Sequence, residues 1–477
     1  MEQFLQELAD RLGPKGFTRD PHEMEPWLVD WRGRYHGAAA AMLSPASTEE
    51  VAAIVARCAE ARVPIVPQGG NTGMVGGATP SPKGDAVLLS LRRMNRIRAL
   101  SPDSNSAICE AGVILENLHA AAATIDRRFP LTLGAKGSAT IGGLISTNAG
   151  GTQVLRFGTM RSLVQGLEAV LPDGSIFHGI APLKKDNRGY DLRQLLIGAE
   201  GTLGVVTAAS LKLVPAIAGR CVAWAGLPSP DAALRLLRLF ERRSGQAVES
   251  FELVPRRALE LVLAHIPGTR APLQQMHAWN VLVEAVTSDA GSELDSMVAA
   301  ILQTALEDQL IEDGVIATND AQAEAFWRLR DSIAEAERAE GPAAQHDISI
   351  EVDHMPGFML DATAATERQF PGTRVVAFGH LGDGNVHFNV GGPEKSGPEW
   401  RETEGAKISG FVHQLVTDAG GSISAEHGIG QSRLGDLARF LEPSRLHALQ
   451  AIKQAIDPLG LMNPGKLVPL AEPSSGP

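Results

Sequence analysis

The sequence predicts an α+β protein of more than one domain, the later part built around an antiparallel sheet. Three observations carry this. The chain has 477 residues, which fits two or three domains better than one. Its 50 glycines are unevenly spread, with an unusual share in two stretches, "PQGGNTGMVGGATP" (67–80) and "LGAKGSATIGGLISTNAGGTQ" (133–153). After residue 216 the pattern changes from short strands and turns to long helical segments alternating with strands.

The elements follow in order. "MEQFLQELADRLG" reads as a short amphipathic helix. Ser47 and Glu50 form a capping box ahead of the helix "TEEVAAIVARCAEARV", and the strand "PIVP" leads into the first glycine loop. "AVLLSL", "SNSAICEAGV" and "GLEAVLPDGSIFHG" read as strands, the last a hairpin through its Pro-Asp-Gly turn. "GTLGVVTAASLKLVP" reads as a further hairpin-like run ending near Pro215. Beyond the boundary come "DAALRLLRLFERRS", "WNVLVEAV", "ELDSMVAAILQTALEDQLIEDG" and "AQAEAFWRLRDSIAEAERAEG". "DPLGLMNPGKLVP" reads as a loop and the terminal "EPSSGP" as disordered. The resulting division is an N-terminal segment 1–37, a first domain 38–216, a second 217–455 and a C-terminal segment 456–477 returning to the first domain.

Composition narrows the function. A formal net charge of −12 argues against a nucleic-acid binder. The three cysteines, Cys58, Cys109 and Cys221, form no CxxC pair, so neither a zinc ribbon nor an iron–sulfur cluster is indicated. A sparse, odd set of cysteines fits a reducing compartment. With no basic n-region followed by an apolar core and no apolar run near the ~20 residues of a membrane span, the expectation is a cytoplasmic protein.

Backbone N–H groups in glycine-rich turns bind phosphate oxygens because no Cβ blocks the approach. Two long loops in one domain point to a ligand with a diphosphate, such as a dinucleotide, with Thr140, Ser146, Thr147 and Asn148 adding polar contacts. Neither loop matches GxGxxG or GxxxxGK[ST], which argues against a nicotinamide enzyme. Glycines that merely make tight turns are the plainer alternative.

"FGHLGDGNVHFNV" (378–390) places two histidines seven positions apart, an odd spacing that puts them on opposite faces of a single strand. If "GDGN" (382–385) reverses the chain, Leu381 pairs with Val386 and His380 with His387, and directly opposed residues share a face. The pair then either stacks across a hairpin or forms part of a metal site.

"PQGGNTGMVGGA", "GSATIGGLISTNAGG", "RFGTMRSLVQGLEAVLPDG" and "LLIGAEGTLGVVT" resemble the FAD-binding domain of the vanillyl-alcohol oxidase/PCMH flavoproteins. "FGHLGDGNVHFNV", "AEHGIG" and "IDPLGLMNPGK" resemble the C-terminal domain of the FAD-linked D-2-hydroxyacid dehydrogenases of that superfamily, the D-2-hydroxyglutarate/D-lactate dehydrogenase group. The similarity runs in order from about residue 40 to 468. It implies a PCMH-type FAD-binding domain and an α+β substrate domain. The loop from Pro67 through Gly69, Gly70, Asn71, Thr72, Gly73, Gly76 and Gly77 would cradle the FAD diphosphate. Gly134, Thr140, Gly142, Gly143, Thr147, Asn148, Gly150 and Gly151 would line the isoalloxazine and ribityl region. Glu200, Gly201, Gly204 and Val206 would contact the adenosine end, and Asn463 would reach the flavin. The first loop holds no histidine for covalent attachment, so FAD is expected to be non-covalent.

Glu426 in "SAEHGIG" offers a third ligand beside His380 and His387. Such a His₂Glu set with open positions suits a catalytic divalent ion, zinc first, with manganese and iron(II) as alternatives. His427 is the candidate general base and substrate contact, Asn389 a substrate contact on the strand face of His387, and Arg330 the fork for the substrate carboxylate. The implied activity is oxidation of a D-2-hydroxy acid to the 2-oxo acid with hydride transfer to flavin N5. Electrons would pass to a quinone, a cytochrome or an electron-transfer flavoprotein, and a homodimer is the assembly expectation. Three departures leave 2-hydroxyglutarate, lactate and malate all open. Gln345 stands where 2-hydroxyglutarate enzymes carry Lys, Ala334 where a hydroxyl is familiar, and Ser349-Ile350-Glu351 where Ser-x-Pro is expected. Two alternatives are a non-catalytic flavin-binding subunit of a larger oxidase and an FAD-dependent alkyl transferase of the same fold.

Overall fold

The computed structural model describes residues 1–470, so the expectation of disorder for the terminal "EPSSGP" lies outside the described residues. The chain forms two compact units. The first comprises Met1–Gly150, Gly158–Ala216 and the chain from Glu426 onward; the second comprises Gly151–Phe157 and Ile217–Ala425. The change at 216/217 falls where the pattern shifts. The first 37 residues belong to the first unit, and the return occurs at Glu426, ahead of residue 456.

The first unit holds two sheets. In one, Ala41–Leu43, Val87–Ser90 and Ile65–Gln68 run parallel, with Phe17–Thr18 added antiparallel at the edge. Helix Thr48–Ala61 packs Val51, Ile54, Val55 and Cys58 against this sheet. At its start the Ser47 hydroxyl accepts from Glu50 N, while the Glu50 carboxylate reaches Ala46 N at 2.7 Å rather than Ser47 N. The second sheet is antiparallel, in the order Ile97–Ser101, Ser106–Glu110, Val205–Lys212, Val164–Val170, Ile176–Gly179. Its last two strands are the "PDG" hairpin. The run ending at Pro215 is not a hairpin. Val205–Lys212 is one central strand bonded on both sides, and all of it but Lys212 is buried.

Within the first unit, buried Lys453 ties the C-terminal segment to Thr202. Lys453 Nζ donates to Asp457 Oδ2 (2.6 Å), Thr202 O (2.7 Å) and Met462 O (2.9 Å). All three ammonium donors are thereby used, which offsets the cost of burying the charge.

The second unit is a seven-stranded antiparallel sheet. Its order is Asp313–Ile316, Gly219–Leu227, Trp279–Thr287, Val248–Pro255, Arg374–His380, Asn385–Gly391, Ala343–Ser349. Side chains alternate between faces. One face buries Ala223, Phe251, Val283, Ala377, Phe388 and Ile348 under helices Pro230–Ser244, Leu294–Glu307, Met355–Gln369 and Gly405–Asp418. The other face buries Trp224, Leu282, Val254, Val376 and Phe378 under Arg256–His265, Asp320–Asp331 and Ile333–Glu340. On that face the register places Glu252, His380, Asn385, His387, Asn389 and Asp347 next to Phe378 and Val376. The apolar pattern therefore gives way to a polar patch at this end of the sheet. Among the described residues no helix is long and apolar enough to cross a membrane.

Candidate active site

In the first unit the two glycine loops meet. A Cβ on Gly69 would strike Thr140 Oγ1, and one on Gly70 would strike Ser138 O. Only glycine allows the 67–77 loop to lie this close to the 134–143 loop. Around the loops, Pro67 packs beside Gly201, and Gly77 lies beside the Glu200 carboxylate. Asn463 Nδ2 donates to Gly77 O (2.9 Å) and Glu200 O (2.7 Å). Glu200, with φ +49°, accepts from Ile429 N and Gly430 N, each at 2.8 Å. Burial pushes its carboxyl pKa up, and those two N–H groups oppose the shift. Asn71 turns its amide to Val29 O (2.8 Å), and Asn148 Oδ1 accepts from Arg161 N (3.0 Å). Thr147 Oγ1 donates to Gly143 O (3.0 Å). Val206 buries its side chain within the sheet.

The buried atoms without a hydrogen-bond partner among the described residues include Thr140 Oγ1 and Asn463 Oδ1. A buried polar atom left unsatisfied costs about 1–3 kcal/mol, so both mark places where a polar ligand belongs. Gly73 and Gly134 face open space. Narrow backbone cradle, open space and orphaned polar atoms together fit FAD. Lys466, which no local signal in "NPGK" marks as buried, also lies buried here. Burial lowers its pKa, and the Glu200 charge opposes this. Gly151 falls in the second unit, apart from the other cofactor candidates.

The hairpin of the second unit corrects the expected register. His380 pairs with Asn385, and His387 pairs with Phe378. The turn is Leu381–Gly384. His380 O accepts from Asp383 N and Gly384 N, Gly384 adopts φ +80°, and the Asp383 carboxylate takes Asn385 N at 2.9 Å. That last bond draws Asn385 into the strand. The register thus moves by two residues, and an even slip keeps every side chain on its face. The histidines remain neighbours as a diagonal pair, ring centroids 5.6 Å apart and edge to face.

Neighbouring strands supply what the local sequence did not show. Glu252, 1% exposed, is opposite His380, and its Oε1 is 2.7 Å from His380 Nδ1. Its other oxygen takes Arg330 Nε at 2.7 Å. Burial works to raise the Glu252 pKa, but the His380 and Arg330 charges outweigh it and hold the carboxyl at about 2. Arg330 also lies over the Phe378 ring, with an N–H 3.3 Å from His380 Nε2. On the same helix Phe326 is buried in the core, and the Trp327 indole N–H donates to Glu284 (2.7 Å). Asp347, buried and directly opposite His387, accepts from Asn385 Nδ2 at 2.9 Å. Asn389 shares the His387 face and donates to Glu337 at 2.7 Å.

A carboxylate on Nδ1 fixes an imidazole's tautomer and raises the basicity of the other nitrogen, the usual support of a metal-binding histidine. His380 and His387 are therefore candidate metal donors, but among the described residues the groups of donors close enough to share an ion include Asp347 and neither of these two histidines. Glu426 and His427 belong to the first unit.

Comparison with known proteins identifies the class. Residues 39–179 match the model for the FAD binding domain, and residues 218–467 match that for the C-terminal domain of FAD linked oxidases. This chain belongs to the FAD-linked oxidase family, and it is an FAD-dependent oxidoreductase related to the D-2-hydroxyacid dehydrogenases. It is 36% identical to the mitochondrial D-2-hydroxyglutarate dehydrogenase of Arabidopsis thaliana over 96% of this chain and 80% of that protein. It is 37% identical to the Bos taurus mitochondrial enzyme, over 96% and 82%, and 37% identical to the D-2-hydroxyglutarate dehydrogenase of a Xanthomonas citri strain, over 94% and 93%. An alkyldihydroxyacetonephosphate synthase (TM-score 0.76, 16% identity, 97% and 84% coverage) and p-cresol methylhydroxylase (0.75, 16%, 98% and 96%) share the fold. The expectation of a cytoplasmic protein is overturned: the plant, bovine, rat and zebrafish relatives are all named as mitochondrial enzymes. Composition and a missing signal-peptide pattern could not discriminate between reducing compartments.

Proposed function

We propose that this chain oxidises a D-2-hydroxy acid to its 2-oxo acid with non-covalent FAD and a divalent metal ion, passing electrons on to a non-nicotinamide acceptor. The observation that carries the reading is the Glu252–His380–Arg330 cluster, a buried carboxylate shared by a candidate metal-binding imidazole and a candidate carboxylate fork. The similarity to D-2-hydroxyglutarate dehydrogenases supports the substrate class.

Arg330 receives the substrate carboxylate. Its guanidinium carries five N–H donors in a fixed plane, and Glu252 takes the one at Nε, which sets the plane's orientation. Glu252 also keeps the proton of His380 on Nδ1; Nε2, 3.3 Å from an Arg330 N–H, is the remaining nitrogen, and an ion there would replace that contact. His380, His387 and Glu426 would hold the ion, with zinc the first choice, and the ion would supply stabilisation of the deprotonated hydroxyl. His427 takes the hydroxyl proton, and Asn389 hydrogen-bonds a substrate oxygen. Bound FAD supplies the acceptor, N5, for the hydride that leaves C2. The loops 67–77 and 134–150, with Glu200 and Asn463, hold it.

The test is a panel of D- and L-2-hydroxy acids against a dye acceptor, with metal analysis of the same preparation. Turnover restricted to D isomers, lost on chelation and restored by one divalent metal, is expected. Turnover of L isomers, or full activity in metal-free protein, would refute the reading.

A further inference from the structure

Glu337, on helix Ile333–Glu340 over the polar sheet face, is a buried acid with no ion pair among the described residues. It is 6% exposed, and its hydrogen-bond partner is Asn389, which is neutral. Burial pushes its carboxyl up to about 7, opposed only by the Asn389 bond. Arg257, Arg374 and Lys395 line a cavity with Glu337, and the two arginines pair with other acids. Arg257 pairs with Glu340 at 2.5 Å, and Arg374 lies 3.6 Å from Glu340 and 3.8 Å from Glu394. Opposite Asn389 on the same face is Gln345, also uncharged.

The position matters because of what precedes it along the strand. His387 and Asn389 are two residues apart on one face, a step of about 7 Å. A hydroxy acid held by its C1 carboxylate and C2 oxygen near Arg330, His380 and His387 would extend its remaining carbons along the strand. Four or five carbons bring the far end to Asn389 and Glu337.

We propose that Glu337 determines substrate range, disfavouring a second carboxylate and selecting D-2-hydroxy acids whose side chain is uncharged or donates a hydrogen bond. The inference rests on the D-2-hydroxy acid reading above. Two like charges close together in a partly dry site repel, so a distal carboxylate either stays away or forces a proton onto Glu337. A hydroxyl or amide donor meets an acceptor instead.

The experiment uses the FAD- and metal-loaded enzyme with D-lactate, D-malate and D-2-hydroxyglutarate, in the wild type and in Glu337→Gln and Glu337→Leu. Gln keeps an acceptor for Asn389 and removes the charge, while Leu also removes the acceptor. The wild type should favour D-lactate in kcat/KM. In E337Q the ratio of dicarboxylate to lactate should rise about tenfold, the equivalent of one pKa unit of like-charge repulsion. A binding readout runs alongside, in which titration of the oxidised flavin spectrum with 2-oxoglutarate and pyruvate should show the same change in ratio. Melting curves and FAD content establish that each variant is folded; if E337Q does not fold, E337L carries the ratio test. A wild type that prefers a dicarboxylate, or ratios unchanged in the folded variants, overturns the proposal. Failure of all D-2-hydroxy acids to reduce the flavin removes the parent reading and this one with it. Reduction without any shift in the ratio removes only this one.

Discussion

Replacing Glu252 by Gln takes one negative charge from between two groups that depend on it. The variant keeps the shape and one acceptor oxygen, so the loss is mainly electrostatic. Glu252 is 1% exposed, and the Arg330 side chain is 12% exposed. Breaking a buried ion pair by removing one partner costs about 3–5 kcal/mol, because the other charge stays buried and uncompensated. Arg330 retains some contact with water, which favours the lower end, about 3 kcal/mol. For a body of 150–250 residues, each kcal/mol moves the melting temperature by roughly 2–4 °C. The metal-free protein should therefore melt about 6–12 °C lower. The exposed pair Arg19–Glu2, with side chains 49% and 77% exposed, is the control, since such pairs contribute little. Glu2→Gln should leave the melting temperature within about 2 °C. The assay is differential scanning fluorimetry at neutral pH on both variants. If Glu252→Gln melts like the control, Glu252 does not organise Arg330 and His380. The same variant should bind zinc about 10–100-fold more weakly, the usual effect of losing a histidine's carboxylate support; equilibrium dialysis measures this.

Other predictions follow from the same structure. The raised pKa of Glu337 favours its neutral form in the folded chain, so the stability it allows is complete below the unfolded carboxyl value of about 4.3 and declines as pH rises through about 7. Glu337→Gln removes that decline. Its melting temperature relative to wild type should rise between pH 5 and pH 8, by the equivalent of about 1–3 kcal/mol, whereas a pH-independent difference would show that Glu337 does not titrate in this range. Of the groups around it, Asn389 is neutral, and Arg257 and Arg374 are paired with acids. Gly70→Ala brings a Cβ onto Ser138 O and should lower the FAD content of purified protein, read from the ratio of flavin to protein absorbance. Lys453→Met leaves Asp457 buried without its cation and should destabilise the chain by about 3–5 kcal/mol, seen as earlier denaturant unfolding with release of flavin.

What the sequence disclosed depended on how local the signal was. The glycine loops were legible because close backbone approach requires glycine at contiguous positions. The two-histidine hairpin was legible because Gly-Asp-Gly marks a reversal. Its register was not, because the Asp383 carboxylate captures Asn385 N and draws that residue into the strand. Glu252 was invisible for another reason. It stands 128 residues from His380 in the chain, and only pairing of two distant strands brings them together. Asp347 reaches His387 the same way. Glu337 lay in a helix whose sequence reads as ordinarily charged, and its burial depends on packing over Asn389. Arg330 could be proposed from its helix, but not the carboxylate that orients it.

The central claim is tested most directly by mixing the anaerobic, metal-loaded enzyme with D- and L-2-hydroxy acids and following flavin absorbance, in the wild type and in His380→Ala. Rapid bleaching by a D isomer, none by its L counterpart, and loss of bleaching in the variant while FAD stays bound are expected. Bleaching by both isomers, or undiminished bleaching in His380→Ala, would contradict it.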